Sequence, residues 1–235
     1  IDTYVAHYTK LVKRKENIKK NLSDEFINLL FEENFDQEIL NQKTIDKYYR
    51  NDKKIWDQKC EIYRKSIWGT PSYRELTLGE ISLIFKAKNI IDQIIKSESL
   101  ISLYVEDDAI PVFNYVKKLK KLIAVDISWD VMFINYGVGK QFLRKKLNKN
   151  FLLPGQILEL PVPSSNCTEA ILFKKNSAKK IAPFLESFTL PLDYELAYIF
   201  AELDLKVMTT TSPLFYQGSK NYNIFKKDKY RGSVR

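Results

Sequence analysis

Residues 101–113 read ISLYVEDDAIPVF. The run from Ile101 to Val105 is β-branched and aromatic, the composition of a buried strand. It ends in Glu106, Asp107 and Asp108 before apolar residues resume. Adjacent carboxylates repel one another and are costly to desolvate unless something positive neutralises them. Along an extended chain, alternate residues point to opposite sides, so Glu106 and Asp108 share one face and Asp107 takes the other. A divalent cation answers such a cluster, since Mg²⁺ or Mn²⁺ takes one or two carboxylates together with substrate phosphates. A solvated turn after a strand accounts for the triplet equally well.

The flanks show alternation of strand and helix. Upstream, EISLIFKAKNIIDQIIKSES (80–99) reads as an amphipathic helix with Ile81, Ile84, Phe85, Ile91, Ile94 and Ile95 inward. Thr77 stands three residues before Glu80, the spacing of a capping box. Downstream, FNYVKKLKKLI (113–123) reads as a helix whose lysines form a solvated face, and residues 129–135 as an apolar strand. IDTYVAHYT (1–9) has the composition of a first strand, and a second is expected around Phe26 to Phe31. Later, residues 167–187 read as a strand and a helix N-capped by Ser177, 189–205 as a loop and helix, and 206–219 as a closing strand and turn.

This order predicts the α/β class, with a mostly parallel central sheet flanked by helices. In such sheets ligands collect beyond the C-terminal strand ends, where Glu106 to Asp108 would lie. One globular domain over 1–225 is expected, with a charged helical insertion over 35–68 and a flexible basic tail over 226–235.

Hydrophobic residues make up 45% of the 235, enough for a sizeable core and too many for a disordered chain. The net charge of +9 raises nucleic acid, anionic lipid and phosphate-bearing ligands as partners. The lysines are spread over many elements, which argues against a nucleic-acid interface, and a preference for AT-rich codons explains much of the excess. Cys60 and Cys167 are far apart, and His7 is the sole histidine, so disulfide frameworks, zinc sites and His-based triads are excluded. Asn21 and Asn166 open Asn-x-Ser/Thr triplets, at a frequency near chance for an Asn-rich chain. No apolar run reaches the length of a membrane span, and no leader pattern is visible from Ile1 onward, although an upstream segment is left open. A soluble, cytoplasmic or membrane-peripheral location is expected ahead of secretion.

Five blocks in order resemble glycosyltransferase family 25, the lipooligosaccharide and procollagen galactosyltransferases. YVAHYTKLVKRKENI (4–18) is similar to its opening strand and Arg-rich loop. LTLGEISLIFKAKNI (76–90) is similar to its glycine-glutamate helix start. LYVEDDA (103–109) with WDVMFINYG (129–137) is similar to its acidic motif and next strand. TEAILFKKNSAKKI (168–181) with LPLDYEL (190–196) is similar to its late strand, helix and proline-x-aspartate element, and SPLFYQGS (212–219) fits its closing segment. The resemblance covers nearly the whole chain outside residues 35–68. It is carried by the order and spacing of the blocks.

The resemblance implies a GT-A-type, metal-dependent, inverting transferase. It would move a hexose (galactose, glucose or N-acetylglucosamine) from a UDP-sugar to a glycan, lipid-linked or protein hydroxyl. Mn²⁺ or Mg²⁺ is then expected on Asp108, with Glu106 as a second ligand, and Asp107 or Glu106 on the ribose. His7 and Tyr8 would meet the nucleoside, and Arg14, Lys86 and Gln217 would meet diphosphate or metal. For the base that activates the acceptor, the candidates are Asp193 and, after it, Glu195.

Each residue also has a plainer account. Asp193 and Glu195 suit a helix N-terminus, Arg14 and Lys86 a solvated surface, and His7 and Tyr8 the end of a core strand. The family pattern carries serine and histidine where this chain has Lys86 and Ala87, and an acid near Lys13. Those departures leave the donor sugar open. Two alternatives stand beside the transferase: a catalytically inactive nucleotide-binding or structural relative, and a basic nucleic-acid-binding protein.

Overall fold

The strand that ends in the acids, β3 (Ile101–Glu106), lies inside a sheet of seven strands found among the described residues. The structure is a computed structural model that describes residues 1–65, 69–135, 155–160, 162, 163, 165 and 167–221. Strand order is β2-β1-β3-β7-β5-β8-β6. The strands are β1 (Asp2–Ala6), β2 (Asn28–Glu32), β5 (Val131–Phe133), β6 (Ile157–Glu159), β7 (Ala170–Lys174) and β8 (Val207–Thr210). Five run in one direction. β7 is antiparallel to both β3 and β5, and β6 to β8. A separate ribbon pairs β4 (Ala109–Pro111) with β9 (Phe215–Gln217). The expected α/β class and mostly parallel sheet are borne out.

The strands are buried on both faces because both alternating sets are apolar. Tyr4, Ala6, Tyr104, Ile171 and Phe173 join one core cluster, and Val5, Leu103, Val105, Ala170 and Leu172 the other. Helix α4 (Leu78–Lys96) covers the first face with Ile81, Ile84, Phe85, Ile91 and Ile94. The side chain of Thr77 accepts from the Glu80 N–H and Glu80 reaches back, so the expected capping box is present. Such a cap is worth about 1 kcal/mol. Helices α6 (Lys175–Ile181) and α7 (Leu192–Glu202) share this face. The second face is covered by α1 (Val12–Asn21), through Ile18, and by α5 (Tyr115–Ile123), through Tyr115, Leu119 and Leu122.

Within the stretch expected as a charged insertion lie α2 (Gln42–Tyr48), α3 (Lys53–Lys59) and a 3-10 turn, Cys60–Lys65. Ile45, Trp56, Cys60 and Tyr63 are buried and belong to the first core cluster, so this stretch contributes to the interior. The tail 226–235 lies outside the described residues.

One local expectation is corrected. Ser177 is not an N-cap: α6 starts at Lys175, and the buried Ser177 hydroxyl donates to Asp130 Oδ1 at 3.0 Å.

Candidate active site

Parallel pairing sets Ala6 beside Glu106, so β1 and β3 deliver His7 and the acids to the same sheet edge. Each acid then meets a different environment.

Asp107 turns to the α1 side. Its Oδ2 lies 3.0 Å from His7 Nδ1 and accepts the Tyr8 N–H at 3.1 Å, and its Oδ1 accepts Arg14 Nη1 at 2.9 Å. Burial alone would raise its pKa. The His7 contact, the Arg14 charge and the Tyr8 N–H outweigh that and hold the carboxyl below its ordinary 3.8. Arg14 reaches it because α1 begins just after the loop from β1 and turns this one basic side chain inward.

Asp108 is 3% exposed. Its Oδ2 accepts Ser219 Oγ at 2.5 Å and the Ser219 N–H at 3.3 Å, while its buried Oδ1 has no hydrogen-bond partner among the described residues. Burial raises its pKa, the bonds from Ser219 pull the other way, and the Asp107 charge adds to the rise. Ser219 opens the helical turn α8 (Gly218–Asn221), fixed by the Gly218 N–H to the Asp108 carbonyl at 2.8 Å.

Glu106 keeps part of its surface exposed and accepts a short hydrogen bond from the Thr168 hydroxyl. Burial first, then the Asp108 charge, push its pKa up to about 8, with Glu169 and Asp107 adding to the rise. Glu169 is 1% exposed and accepts from Asn135 Nδ2 at 2.9 Å. Sequence reasoning passed over Thr168, Glu169, Asn135 and Ser219. The pair Thr168–Glu169 precedes β7, and only the reversed direction of that strand carries its start to the edge where β3 ends. No feature of the sequence marks that reversal.

His7 is wholly buried, and its Nε2 has no hydrogen-bond partner among the described residues, with Glu33 Oε1 3.9 Å away. Tyr8 points outward, its hydroxyl bonded to Glu38. Gln217, on β9 opposite Ala109, accepts from Cys167 Sγ at 3.4 Å. His7, Gln217 and Arg14 gather with the acids, and Tyr8 joins them through its backbone N–H.

Two candidates turn out otherwise. Lys86 is 3% exposed and donates to the Asn34 carbonyl at 2.5 Å and to Asp36 Oδ1 at 2.7 Å. Its charge is consumed by a buried ion pair, which corrects both the phosphate contact and the solvated alternative. Asp36 in turn accepts the Thr9 N–H at 3.1 Å, so Lys86 braces the loop beyond β1 at one remove. Glu195 is wholly buried. Its Oε2 accepts the N–H groups of Thr189 and Leu190 at 3.0 and 2.9 Å, and its Oε1 accepts Lys59. That carboxylate closes the turn into α7, so its expected role as a base is corrected to a structural one. Asp193, in the first turn of α7, is half-buried and accepts the Tyr194 N–H at 3.0 Å.

Among the described residues no three Asp, Glu, His or Cys side chains converge tightly enough to cage a metal ion by themselves. The donor set nevertheless fits a hard cation that shares its shell with a ligand's oxygens. Asp108 presents a buried oxygen that no described residue bonds, and Glu106 is crowded by like charge.

No protein-family model matches the chain, and no curated protein matches it, so the family-25 likeness has no family model behind it. Solved structures similar to it include the apo form of the glycosyltransferase GlyE of Streptococcus pneumoniae TIGR4, at 10% identity and a TM-score of 0.41. That match covers 88% of this chain and 44% of GlyE, so the chain spans less than half of that protein's length. A197 from STIV is similar at 11% identity and a TM-score of 0.38, over 90% of this chain and 81% of that one. Mouse xyloside xylosyltransferase 1 is similar at 12% identity and 0.37, over 88% and 70%. Identities and scores this low leave the chemistry to be argued from the side chains.

Proposed function

We propose that the chain is a metal-dependent, inverting glycosyltransferase that moves a hexose from a UDP-sugar to the hydroxyl of a glycan, lipid-linked or protein acceptor. The observation that carries this reading is the buried Oδ1 of Asp108, without a hydrogen-bond partner among the described residues, beside the crowded carboxylate of Glu106, at the strand ends where α/β sheets bind ligands. An ion, an ordered water or a ligand group supplies the missing partner of such an oxygen. Asp108 and Glu106 would hold Mn²⁺ or Mg²⁺, which when bound supplies Lewis-acid stabilisation to a departing diphosphate.

The chain's own groups do the remaining work. Asp107 fixes His7, Tyr8 and Arg14 around the nucleotide end of the pocket. Thr168 and Ser219 hold the two metal-binding carboxylates in place. Gln217, on β9 opposite Ala109, would meet the diphosphate. Asp193 accepts the proton of the attacking hydroxyl, a step worth about 10²–10⁴ in rate for a positioned base. With Glu195 enclosed, Asp193 is the carboxylate we assign to that role.

A screen of UDP-hexoses read out as UDP release, with and without Mn²⁺, tests the proposal. Metal-dependent release with one hexose is the expected result. A second reading, a nucleotide-binding protein without catalysis, is favoured by the enclosure of Glu195 and the departure at Lys86–Ala87. It predicts heat on titration with UDP and Mn²⁺ but no release from any donor. Absence of both heat and release removes the two readings together.

A further inference from the structure

Helix α5 has two unlike sides. Tyr115, Leu119 and Leu122 are buried, while Lys117, Lys118, Lys120 and Lys121 are all exposed. Among the described residues none of these four lysines forms an ion pair. Lys120 lies over the Phe26 ring, 4.7 Å from its centroid. Lys117, Lys120 and Lys121 line an open groove of about 620 Å³ that also includes Asp24. Just before the helix, Phe113 is 87% exposed, more than any other large hydrophobic side chain among the described residues. The left-handed turn at Asn114, with φ 58°, separates that ring from the core-facing side of the helix.

We propose that α5 and Phe113 form a docking surface for an anionic lipid bilayer. The lysine ammonium groups complement phosphate headgroups, each contributing about a fivefold gain in partitioning. Phe113 provides the apolar wedge that enters the interface, as on amphipathic segments that lie on membranes. Charge complementarity alone would also suit nucleic acid. A single-stranded polymer needs several aromatic platforms in succession, however, and among the described residues of this surface Phe113 is the exposed ring while Tyr115 is buried. Only five positions separate Asp108 from Phe113, at most about 18 Å of chain. Docking would therefore hold the carboxylate pocket close to the lipid surface. The inference does not depend on the proposed transfer reaction.

Co-sedimentation with vesicles of phosphatidylcholine alone, and of an equimolar mixture with phosphatidylglycerol, tests it. The wild-type chain should sediment with the mixed vesicles, release in high salt, and leave pure phosphatidylcholine unbound. Lys117→Gln with Lys121→Gln should weaken partitioning about twenty-five-fold, and Phe113→Ser should weaken it without changing its salt dependence. Both variants should keep the wild-type melting temperature and UDP affinity. The proposal is overturned if the wild type ignores anionic vesicles, if the variants bind them as tightly as wild type, or if the same substitutions abolish retention of single-stranded RNA while vesicle binding persists.

Discussion

Arg14 and Asp107 form a buried ion pair across 2.9 Å that joins the helix after β1 to the end of β3. The Asp107 carboxylate also receives His7 and the Tyr8 N–H, so it is the joint on which the sheet edge is assembled. Breaking a buried pair by removing one partner costs about 3–5 kcal/mol, since the other charge stays enclosed. Asp107→Ala should lower the melting temperature sharply, and more than Arg14→Met. Because the Asp107 pKa lies below 3.8 in the folded chain, its contribution is full above that value. It fades as pH falls through the folded value. Acid unfolding of the Asp107→Asn variant should lose that component, which melts along an acid pH series would detect.

Asp108→Asn should separate function from folding. An amide oxygen still accepts from Ser219, so the melting temperature should stay near wild type. Metal-dependent UDP release should fall by about a hundredfold or more, the scale of the transition-state stabilisation a bound cation supplies. Retention of wild-type turnover would remove Asp108 from the metal site.

Glu106 makes the metal-free protein sensitive to alkali. Its pKa rises on folding from 4.5 to about 8, so the folded state favours the protonated acid. The resulting penalty on stability begins above pH 4.5 and grows until about pH 8, where the folded carboxyl also ionises. Glu106→Gln should therefore raise the melting temperature near pH 8 and change it little near pH 4.5. The same substitution should weaken Mn²⁺-dependent binding of UDP, measured by titration calorimetry.

Asp193 and Glu195 should answer mutation in opposite ways. Asp193→Ala should reduce turnover by about 10²-fold or more at nearly unchanged UDP affinity, as expected of a base that acts on the acceptor. Glu195→Ala strands the Thr189 and Leu190 N–H groups and the Lys59 ammonium. It should cost about 3–5 kcal/mol of stability and give little soluble protein. A stable Glu195→Ala chain with abolished turnover would reverse the two assignments.

The sequence made the strand bearing the acids legible because an apolar run that ends in charge has few structural meanings. Helix α4 was legible for a similar reason, its period and its capping box being local. Lys86 and Glu195 were not. Their partners are Asp36, some fifty residues away, and Lys59 with the turn at Thr189, and no local pattern marks a charged side chain whose counter-charge arrives from elsewhere. Asp107 and Asp108 stand in the turn between β3 and β4, beyond the reach of strand alternation, and no local pattern marks His7 and Arg14 as the partners of Asp107. Strand direction was hidden too, since a run such as AILFK has the same composition whichever way it points.

That reversed strand has a lasting effect on how the pocket can vary. The pairing of Val105 with Ala170 fixes where Thr168 and Glu169 stand, and it is made by ladder bonds within the sheet. Ladder bonds run between backbone groups, so side-chain substitutions along β3 and β7 that keep the pairing leave that placement unchanged. The floor of the pocket is thus inherited with the architecture rather than with any one side chain.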